Sequence, residues 1–163
     1  MDGFSIRPAS ASDIQAVAAL FRAYADSLGV DLSYQGFEAE LATLPGAYAP
    51  PAGALLIAIS AAGEPAGCVG VRPLAEPGAC EMKRLHIAPA VRRGGIGRSL
   101  ALAALEAAAR AGYRAMRLDT LPTMLAAQNL YRRLGFEITP PYYESPIAGT
   151  IFMRKTLLSP VEI

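Results

Sequence analysis

The chain has 163 residues, of which 53% are hydrophobic and 18% charged, and its formal net charge is +1. This length predicts a single domain over residues 1–163 that buries its own core, and the near-zero charge argues against nucleic acid as a partner, because phosphates require a concentrated basic face. The apolar runs are far shorter than the roughly 20 residues of a membrane-spanning helix and the start lacks the pattern of a secretory signal, so we expect a cytoplasmic protein without a membrane partner.

The first half of the chain predicts a strand, two helices and three further strands. Residues 4–7 alternate between apolar and polar side chains, as in a strand, and residues 13–28 carry apolar side chains at helical spacing. Ser12 and Gln15 have the spacing of a capping box at the start of that helix. A short second helix is predicted at about 36–44. Turn residues then separate three strands that are predicted to form an antiparallel meander, at 54–60, 66–74 and 79–88.

The second half predicts two more helices and three more strands. A long helix rich in alanine and leucine covers about 95–111 and ends at Gly112, and a shorter helix covers 123–134 and ends at Gly135. Strands are predicted at 114–119, 136–139 and 147–157. This order of elements is typical of the α/β (α+β) class, with one mixed central sheet of about six to seven strands and helices on both faces.

The cysteines and the histidine limit the chemistry of the site. Cys68 and Cys80 lie on adjacent strands of the meander, where they are predicted to face residues near Leu85 and Pro73 rather than each other, so both are expected to be reduced thiols. His86 is the only histidine, which argues against a metal centre built on several histidines. No metal is therefore expected.

The segment Arg92-Arg93-Gly94-Gly95-Ile96-Gly97-Arg98-Ser99 connects a predicted strand to the long helix. Its glycines let the backbone approach a ligand closely, and unpaired amides at a helix N-terminus attract an anion. The segment therefore indicates a phosphate or pyrophosphate site. It lacks the Gly-Lys-Ser/Thr of a Walker A loop, and Leu100 stands where a dinucleotide fingerprint requires a third glycine. Two alternatives to these interpretations are another kind of nucleotide-binding loop and a turn that only caps the helix and binds nothing.

This segment resembles the Arg/Gln-x-x-Gly-x-Gly/Ala acyl-CoA signature of the GCN5-related N-acetyltransferase (GNAT) superfamily, as Arg92-x-x-Gly95-x-Gly97. Residues 81–89 upstream and the motif Leu130-Tyr131-x-x-Leu134-Gly135-Phe136 downstream also resemble segments of that family. The resemblance implies the GNAT fold, in which the fourth and fifth strands splay apart, here at 79–88 and 114–119. It also implies acetyl-CoA as the co-substrate.

The resemblance further implies which residues hold acetyl-CoA. The pantetheine arm would pair with the backbone of Leu85, His86 and Ile87. Many family members have an asparagine seven residues before the tyrosine of the downstream motif, but this chain has Met124 there, so the contact of that asparagine with the pantetheine would fall to Thr120 or to the backbone. The pyrophosphate would lie on the loop after the fourth strand, which consists of Arg92, Arg93, Gly94, Gly95, Ile96, Gly97 and Arg98.

Two side chains are candidates for proton transfer by the same resemblance. Tyr131 corresponds to a tyrosine near the coenzyme A sulfur and would protonate the departing thiolate; the alternative is a tyrosine that only packs on its helix. Glu81 corresponds to a glutamate that serves as base in some members; the alternative is an ion pair with Lys83 or Arg84. His86 is another candidate base. Strand alternation predicts one face with Glu81, Lys83, Leu85 and Ile87, and the opposite face with Met82, Arg84 and His86.

The expected activity is transfer of an acetyl group from acetyl-CoA to a primary amine of a small molecule or peptide, by direct attack in a ternary complex. A non-catalytic acyl-CoA sensor is the alternative. Tyr142, Tyr143 and Glu144 lie on a proline-stiffened segment that suits recognition of a cationic or amino-acid-like acceptor, or else covers an edge of the core. Asp119 and Thr120 border the expected gap. Family members often pair through an exposed last strand, so a homodimer is a further implication.

Overall fold

The computed structural model describes residues 3–157, which form a seven-stranded mixed sheet with helices on both faces. Within these residues, no helix is both long and apolar enough to cross a membrane. The predicted α/β class is confirmed. The helices and strands are β1 (Phe4–Pro8), α1 (Ile14–Leu28), α2 (Phe37–Ala42), β2 (Ala54–Ser60), β3 (Pro65–Pro73), β4 (Ala79–Ile87), α3 (Ile96–Arg110), β5 (Ala115–Thr120), α4 (Leu125–Arg133), β6 (Glu137–Ile138) and β7 (Ile151–Thr156).

The sheet opens between its two parallel strands. The strand order is β1-β2-β3-β4-β5-β7-β6, and all neighbours are antiparallel except β4 and β5. These two strands pair only through residues 79–81 and 115–117. Beyond that point they share no ladder and separate toward their carboxyl ends. This is the predicted splay, and it opens the sheet where β4 leads into the glycine-rich loop.

The last strand of the described chain is not at an edge of the sheet. β7 pairs with β5 on one side and with the two-residue β6 on the other. The strands at the edges are β1 and β6. The exposed strand through which family members often pair is therefore not β7, and the homodimer stays a prediction.

Two hydrophobic cores lie on opposite faces of the sheet. On one face, α3 packs through Leu100 and through small side chains such as Ala104, all fully buried, which lets the helix lie close to the strands. On the other face, α1 packs through Val17 and Phe21 against Ile57 of β2. Burial of each large apolar side chain contributes roughly 1.5–3 kcal/mol, so both helices are fixed against the sheet that carries the gap.

A bulge interrupts β4 near its middle. Lys83 pairs with Gly70 of β3, but His86 pairs with Cys68, so β4 carries one extra residue over this stretch. Arg84 lies at the bulge and has a φ of 62°. A non-glycine residue adopts this left-handed conformation only at some cost in energy, which the contacts of the Arg84 side chain offset.

The bulge overturns the predicted alternation of side chains along β4. Leu85 and Ile87 pack into the core on the α3 side, together with Met82. His86 lies beside Tyr24 of α1, on the opposite side of the sheet. The prediction that Leu85 and Ile87 share a face with Glu81, and that His86 lies on the other face, is therefore wrong. One extra residue reverses every side chain that follows it, because the strand period is two.

The start of α1 differs from the prediction. The chain enters the helix through a capping box of Ser10 and Asp13, not of Ser12 and Gln15. The Asp13 carboxylate accepts a hydrogen bond from the Ser10 N–H at 2.8 Å and also pairs with Arg7. Ser10 and Ser12 both precede the apolar run at a suitable spacing. The ion pair between Asp13 and Arg7 of β1 favours the capping box that begins at Ser10.

The last strand is shorter than predicted. β7 begins at Ile151 instead of residue 147. Residues 145–150 form a turn, in which the Thr150 hydroxyl donates to the Ile147 carbonyl at 2.7 Å and Gly149 has a φ of 81°. This turn directs the preceding tyrosine segment toward the gap.

Candidate active site

The separated ends of β4 and β5 form a gap next to the glycine-rich loop. From Lys83 onward, β4 pairs with β3 on one side, and its other edge faces the gap. In the part of the chain that the structure describes, this edge has no partner strand, so its main-chain N–H and C=O groups are available to an extended ligand. Leu85, His86 and Ile87, the residues predicted to hold the pantetheine arm, all lie on this stretch.

The loop between β4 and α3 presents a row of free main-chain N–H groups. From Arg93 to Arg98, no main-chain N–H donates to a protein acceptor among residues 3–157, and the first bonded amide is that of Ser99, which donates to the Gly95 carbonyl at 3.1 Å. Free amides at a helix start, together with the helix dipole, attract an anion. The loop thus has the geometry that a phosphate site requires.

The glycines of this loop serve different purposes. Gly95, the residue before α3, has a φ of 82°, and Arg93 has a φ of 78°, so the loop passes twice through the left-handed region. A side chain at Gly95 would strain the backbone. A Cβ at Gly97 would lie 3.6 Å from Ile87 and 3.9 Å from Leu130, which are ordinary contacts. A methyl group at Gly97 therefore fits between the first turn of α3, β4 and α4.

Three exposed arginines surround the loop. Arg92 is held against β4, since its Nε donates to the Ile87 carbonyl at 3.1 Å. Arg93 and Arg98 are exposed on either side of Gly95. Guanidinium groups stay charged at any physiological pH and bind phosphates well, so they reinforce the attraction of the amides for an anion.

Tyr131 lies on α4 and faces the sheet, with 6% of its surface exposed. Its ring packs edge-on against Phe136, with 5.8 Å between the ring centroids. Burial, with smaller contributions from Tyr24 and Asp119, raises the pKa of Tyr131 well above its ordinary value of 10.0. The phenol therefore keeps its proton near neutral pH and is available as a donor.

Glu81 is buried, and both of its carboxylate oxygens are engaged. Its Oε1 accepts from Arg72 Nε at 2.9 Å, and its Oε2 accepts from the Tyr142 hydroxyl at 2.5 Å. Lys83 Nζ lies 4.0 Å from Oε2. Glu81 does form ion pairs, but with only 2% of its surface exposed it lies far from a wet strand end. The carboxylate is therefore in direct contact with the Tyr142 hydroxyl and almost out of contact with solvent.

Lys83 bridges the gap between the two splayed strands. Its Nζ lies 3.4 Å from Asp119 Oδ1 on β5 and donates to Gln35 Oε1 at 3.1 Å. Burial of Lys83, which outweighs the opposing effect of Asp119 and Glu81, lowers its pKa. Asp119 also accepts a hydrogen bond from the Tyr143 hydroxyl. These side chains tie β4 to β5 where the backbone ladder ends.

His86 carries a buried nitrogen that no neighbour uses. Within the described residues its Nε2 has no hydrogen-bond partner, and its ring lies edge-on to Tyr24, with 6.2 Å between the ring centroids. Burial, and then the nearby charge of Arg92, lowers the pKa of His86 below 6.5. The imidazole is therefore neutral near pH 7 and can accept a proton. Across residues 3–157, no three His, Cys, Asp or Glu side chains are grouped to hold a metal ion.

A buried ion pair that the sequence did not indicate anchors α2 to β4. Arg84 Nε and Nη2 each donate to Glu40 at 3.0 Å, and the guanidinium lies 5.2 Å from the centre of the Phe37 ring. Glu40 also accepts from the Tyr48 hydroxyl at 3.0 Å. Glu40 could not be singled out from the sequence, because Arg84 is 44 residues away along the chain.

A narrow cavity lies on the α1 side of the gap, between α1, the 3-10 turn Leu32–Gln35 and the ends of β4 and β5. It holds about 250 Å³ of space, counting its open mouth. Within the described residues the hydroxyl of Thr120 is buried without a partner. The cavity borders the splayed strands on the side away from α3. Its polar lining consists of Tyr24, Tyr34, Gln35, Arg84, Asp119 and Thr120.

The proline-stiffened segment before β7 reaches both sides of the gap. The Tyr142 hydroxyl donates to Glu81 on β4, and the Tyr143 hydroxyl donates to Asp119 on β5. The two rings also pack on Phe152, at centroid distances of 5.3 and 5.1 Å. The segment therefore covers an edge of the core and contacts the carboxylates of the gap as well.

Gln128 is a buried polar side chain of the site that sequence reasoning missed. Its Nε2 donates to the carbonyls of Leu121 and Pro122 at 2.8 and 3.3 Å, which fixes the loop between β5 and α4. The half-buried Met124, at the position of the usual asparagine, directly precedes α4. A glutamine three residues before Tyr131, on the same helix face, was the available signal.

Comparison with known proteins identifies the family. The model of the acetyltransferase (GNAT) family matches residues 17–136, well over half of the chain. An uncharacterized N-acetyltransferase from Schizosaccharomyces pombe is 39% identical over 142 residues, which are 87% of this chain and 87% of the relative. The protein belongs to the GNAT family of acetyltransferases.

Solved structures share the fold. An acetyltransferase of the GNAT family from Staphylococcus aureus has a TM-score of 0.79 at 16% identity, covering 96% of this chain and 100% of that chain. A GNAT superfamily phosphinothricin acetyltransferase from Sinorhizobium meliloti, solved in complex with acetyl-CoA, has a TM-score of 0.72 at 19% identity, covering 94% and 88%. These similarities confirm the predicted GNAT fold.

Proposed function

We propose that the protein transfers an acetyl group from acetyl-CoA to a primary amine. The observation that carries the proposal is the row of unpaired main-chain N–H groups from Arg93 to Arg98, at the mouth of the gap between β4 and β5. Such a row fits a pyrophosphate, and the free edge of β4 fits an extended pantetheine arm. When bound there, acetyl-CoA supplies an activated thioester.

Two groups of the protein stabilise the charges that develop during transfer. Main-chain N–H groups on the free edge of β4 are the donors for the carbonyl oxygen, and such fixed donors act most strongly where a bound ligand displaces water. Tyr131 is the proton donor for the departing sulfur, since its buried phenol remains protonated. A general acid of this kind contributes about 10²- to 10⁴-fold to the rate.

The acceptor amine must lose a proton before it reacts. With an ordinary pKa near 10, only about 0.1% of an amine is neutral at pH 7, which opposes attack by about 4 kcal/mol. Glu81 takes this proton through the Tyr142 hydroxyl that already donates to it. His86 is a second candidate, because its Nε2 has no partner within the described residues.

Titration calorimetry of the purified protein tests the donor site. We expect heat from acetyl-CoA with a dissociation constant on the order of micromolar, equivalent to about 8 kcal/mol, and little heat from ATP or NAD. Absence of heat with acetyl-CoA and with longer acyl-CoA esters would overturn the proposal. Thermal stabilisation by ATP or NAD, with none by coenzyme A, would favour a nucleotide-binding loop.

Turnover separates an enzyme from a sensor. With acetyl-CoA and a panel of amines, an acetyltransferase releases one free thiol for each amine acetylated, which a thiol-reactive dye measures. A sensor binds acetyl-CoA and releases no thiol with any amine. Saturating calorimetric binding without thiol release would therefore favour the sensor.

A further inference from the structure

The cavity on the α1 side of the gap has chemistry that points to one class of acceptor, and this inference rests on the proposed acetyl transfer. The cavity is narrow and borders the ends of β4 and β5, where the reacting amine would lie. Its space of about 250 Å³ includes the open mouth, so the enclosed part has room only for the polar end of a small molecule.

One wall of the cavity carries a cation with unused donors. Arg84 has 1% of its side chain exposed, and its Nε, Nη1 and Nη2 donate to Glu40 and Gln35 at 2.8 to 3.0 Å. A guanidinium has five N–H donors, so two of those of Arg84 have no acceptor among the described residues. A carboxylate of a ligand is the group that they would bind most strongly.

The other wall carries an anion and an unpaired hydroxyl. Asp119 accepts from Lys83 and Tyr143, and a carboxylate has about four lone-pair sites, so it can accept further hydrogen bonds. Thr120, the following residue of β5, also lines the cavity, and its hydroxyl is buried without a partner in the part of the chain described. A buried hydroxyl without a hydrogen bond is unfavourable, and an amino group in the cavity would supply one.

The charges around the cavity balance without a ligand. Three carboxylates and three cations lie in or directly behind the cavity wall, and each carboxylate forms an ion pair with at least one of the cations. A ligand with a net charge would leave one buried charge uncompensated, which is costly. Of these six, Asp119 and Arg84 line the cavity, and Glu40, Glu81, Arg72 and Lys83 form ion pairs behind its wall.

From this arrangement we infer that the acceptor is a small zwitterion of the amino-acid type. Its carboxylate binds the free N–H groups of Arg84, and its amino group lies between Asp119 and Thr120. Asp119 and Thr120 lie at the end of β5, which borders the gap.

Acetyl transfer to such an acceptor is balanced in atoms and charge. The ammonium group loses one proton to the base, which releases it to the solvent, and the neutral nitrogen then bonds to the acetyl carbon while the carbon–sulfur bond breaks. The sulfur takes the Tyr131 proton, and the second proton of the nitrogen, carried by the base, returns to Tyr131. Each turnover thus yields one amide, one thiol and one free proton. The product keeps its carboxylate but loses its positive charge, so it no longer matches the neutral cavity and is released.

Matched sets of acceptors test this inference with the wild-type protein. Each set consists of an L-amino acid, its carboxamide, and the amine that remains without the carboxylate; spermidine and a short peptide complete the panel. Measured by thiol release, the kcat/KM of at least one amino acid should be tenfold or more above that of both of its analogues. If an analogue, spermidine or the peptide is used as well or better, the inference is overturned while the acetyltransferase stands. If no compound releases thiol, both are overturned.

A variant of Thr120 provides a second test. Thr120→Val removes only the unpaired hydroxyl, so the melting temperature should not fall, and the KM for the preferred amino acid should rise about tenfold with little change in the KM for acetyl-CoA. Thr120→Ser should restore the acceptor KM. Thr156→Val, at the exposed end of β7, is the matched control and should have no effect. An unchanged acceptor KM in Thr120→Val would contradict the role of the hydroxyl.

Discussion

Single side chains in the gap have sharply different surroundings, although most are buried. Tyr131 is surrounded by apolar groups and keeps its proton. Glu81 is held by two donors, and the Nε2 of His86 has no partner among the described residues. Burial penalises charged forms, so these surroundings decide which group can donate a proton and which can accept one.

Replacement of Tyr131 tests the proton donor. We expect Tyr131→Phe to lower kcat by about 10²-fold or more, because the thiolate would then leave without a proton, while the dissociation constant for acetyl-CoA stays within about twofold. Thiol release and calorimetry measure the two quantities. Tyr113→Phe is the control, since the Tyr113 hydroxyl bonds to the Ala52 carbonyl at 2.6 Å away from the gap. Equal losses in both variants would contradict the role of Tyr131.

Replacement of Glu81 tests the proton acceptor. We expect Glu81→Gln to lower kcat by about 10²-fold, and Tyr142→Phe to lower it by a similar factor, because the proton reaches Glu81 through that hydroxyl. His86→Gln should change kcat by no more than about threefold. Melting temperatures separate these effects from misfolding, since Glu81 also pairs with Arg72. A large loss in His86→Gln alone would transfer the role to His86.

The pH dependence of kcat distinguishes the two bases without mutation. The pKa of His86 lies below 6.5, through burial and then the charge of Arg92. If His86 were the base, only its neutral form would accept a proton, so kcat would fall as the pH drops through that pKa and would be constant above it. If Glu81 is the base, we expect no such fall of kcat at the pKa of His86, either in the wild type or in His86→Gln. Rate measurements with saturating substrates from pH 5 to 8 test this.

At the scale of elements, the loop between β4 and α3 depends on a single left-handed glycine. Gly95 has a φ of 82°, whereas Gly97 lies in the first turn of α3 with ordinary contacts around it. The two positions therefore differ in what a methyl group would do. At Gly95 it strains the turn that aligns the amides, and at Gly97 it meets only Ile87 and Leu130.

Alanine at these two positions should give opposite results. We expect Gly95→Ala to lower the free energy of unfolding by about 1–2 kcal/mol and to weaken acetyl-CoA binding about tenfold, since an amide hydrogen bond to a phosphate is worth about 1.5–3 kcal/mol. Gly97→Ala should leave stability unchanged or raise it by up to about 1 kcal/mol. Denaturant titration and calorimetry measure both. A loss of binding in Gly97→Ala alone would contradict this assignment.

The elements themselves could be predicted from the sequence, but the bulge could not. Periodicity and turn residues located β2 to its last residue, and glycines marked the ends of α3 and α4. Lys83 and Arg84 break the alternation between Met82 and Leu85, but two adjacent polar residues are also common where a strand ends, so this local trace does not locate the bulge. Only the pairing with β3 and the ion pair with Glu40 fix it, and both depend on residues distant in sequence.

At the scale of the whole molecule, the two thiols report on global unfolding. Cys68 and Cys80 are free and buried on β3 and β4, opposite His86 and Pro73 rather than each other, as predicted. Burial raises the pKa of Cys80 to about 12 and that of Cys68 further. Because the thiolate is the reactive form, neither thiol is suited to carry an acetyl group.

Alkylation tests this statement. We expect iodoacetamide at pH 8 to modify neither cysteine in the folded protein and both in denaturant, with unchanged acetyl transfer after treatment of the folded form. Mass spectrometry counts the modifications. Rapid labelling of the native protein that abolishes activity, or an acetylated cysteine after mixing with acetyl-CoA, would contradict direct attack by the amine.

The sequence indicates the residues proposed to bind acetyl-CoA better than those proposed to bind the acceptor amine. The glycine-rich loop and Tyr131 lie in short contiguous motifs, so local residue order is enough to find them. Glu40, Arg72 and Gln35 come from separate elements, and they meet only because α1 and α2 pack on the sheet. Charges of this kind are visible in the sequence, but their burial is a property of the packed chain.

The insertion at Arg84 makes the length of β4 a requirement of the chemistry. Deleting that residue would move the following three side chains to the opposite faces of the sheet. The imidazole of His86 would then enter the hydrophobic core under α3, and Leu85 and Ile87 would lie beside the ion pairs. A chain shortened in this way would still carry every letter of the glycine-rich signature. It would nevertheless place different side chains beside that loop, so the acceptor side proposed above would not form.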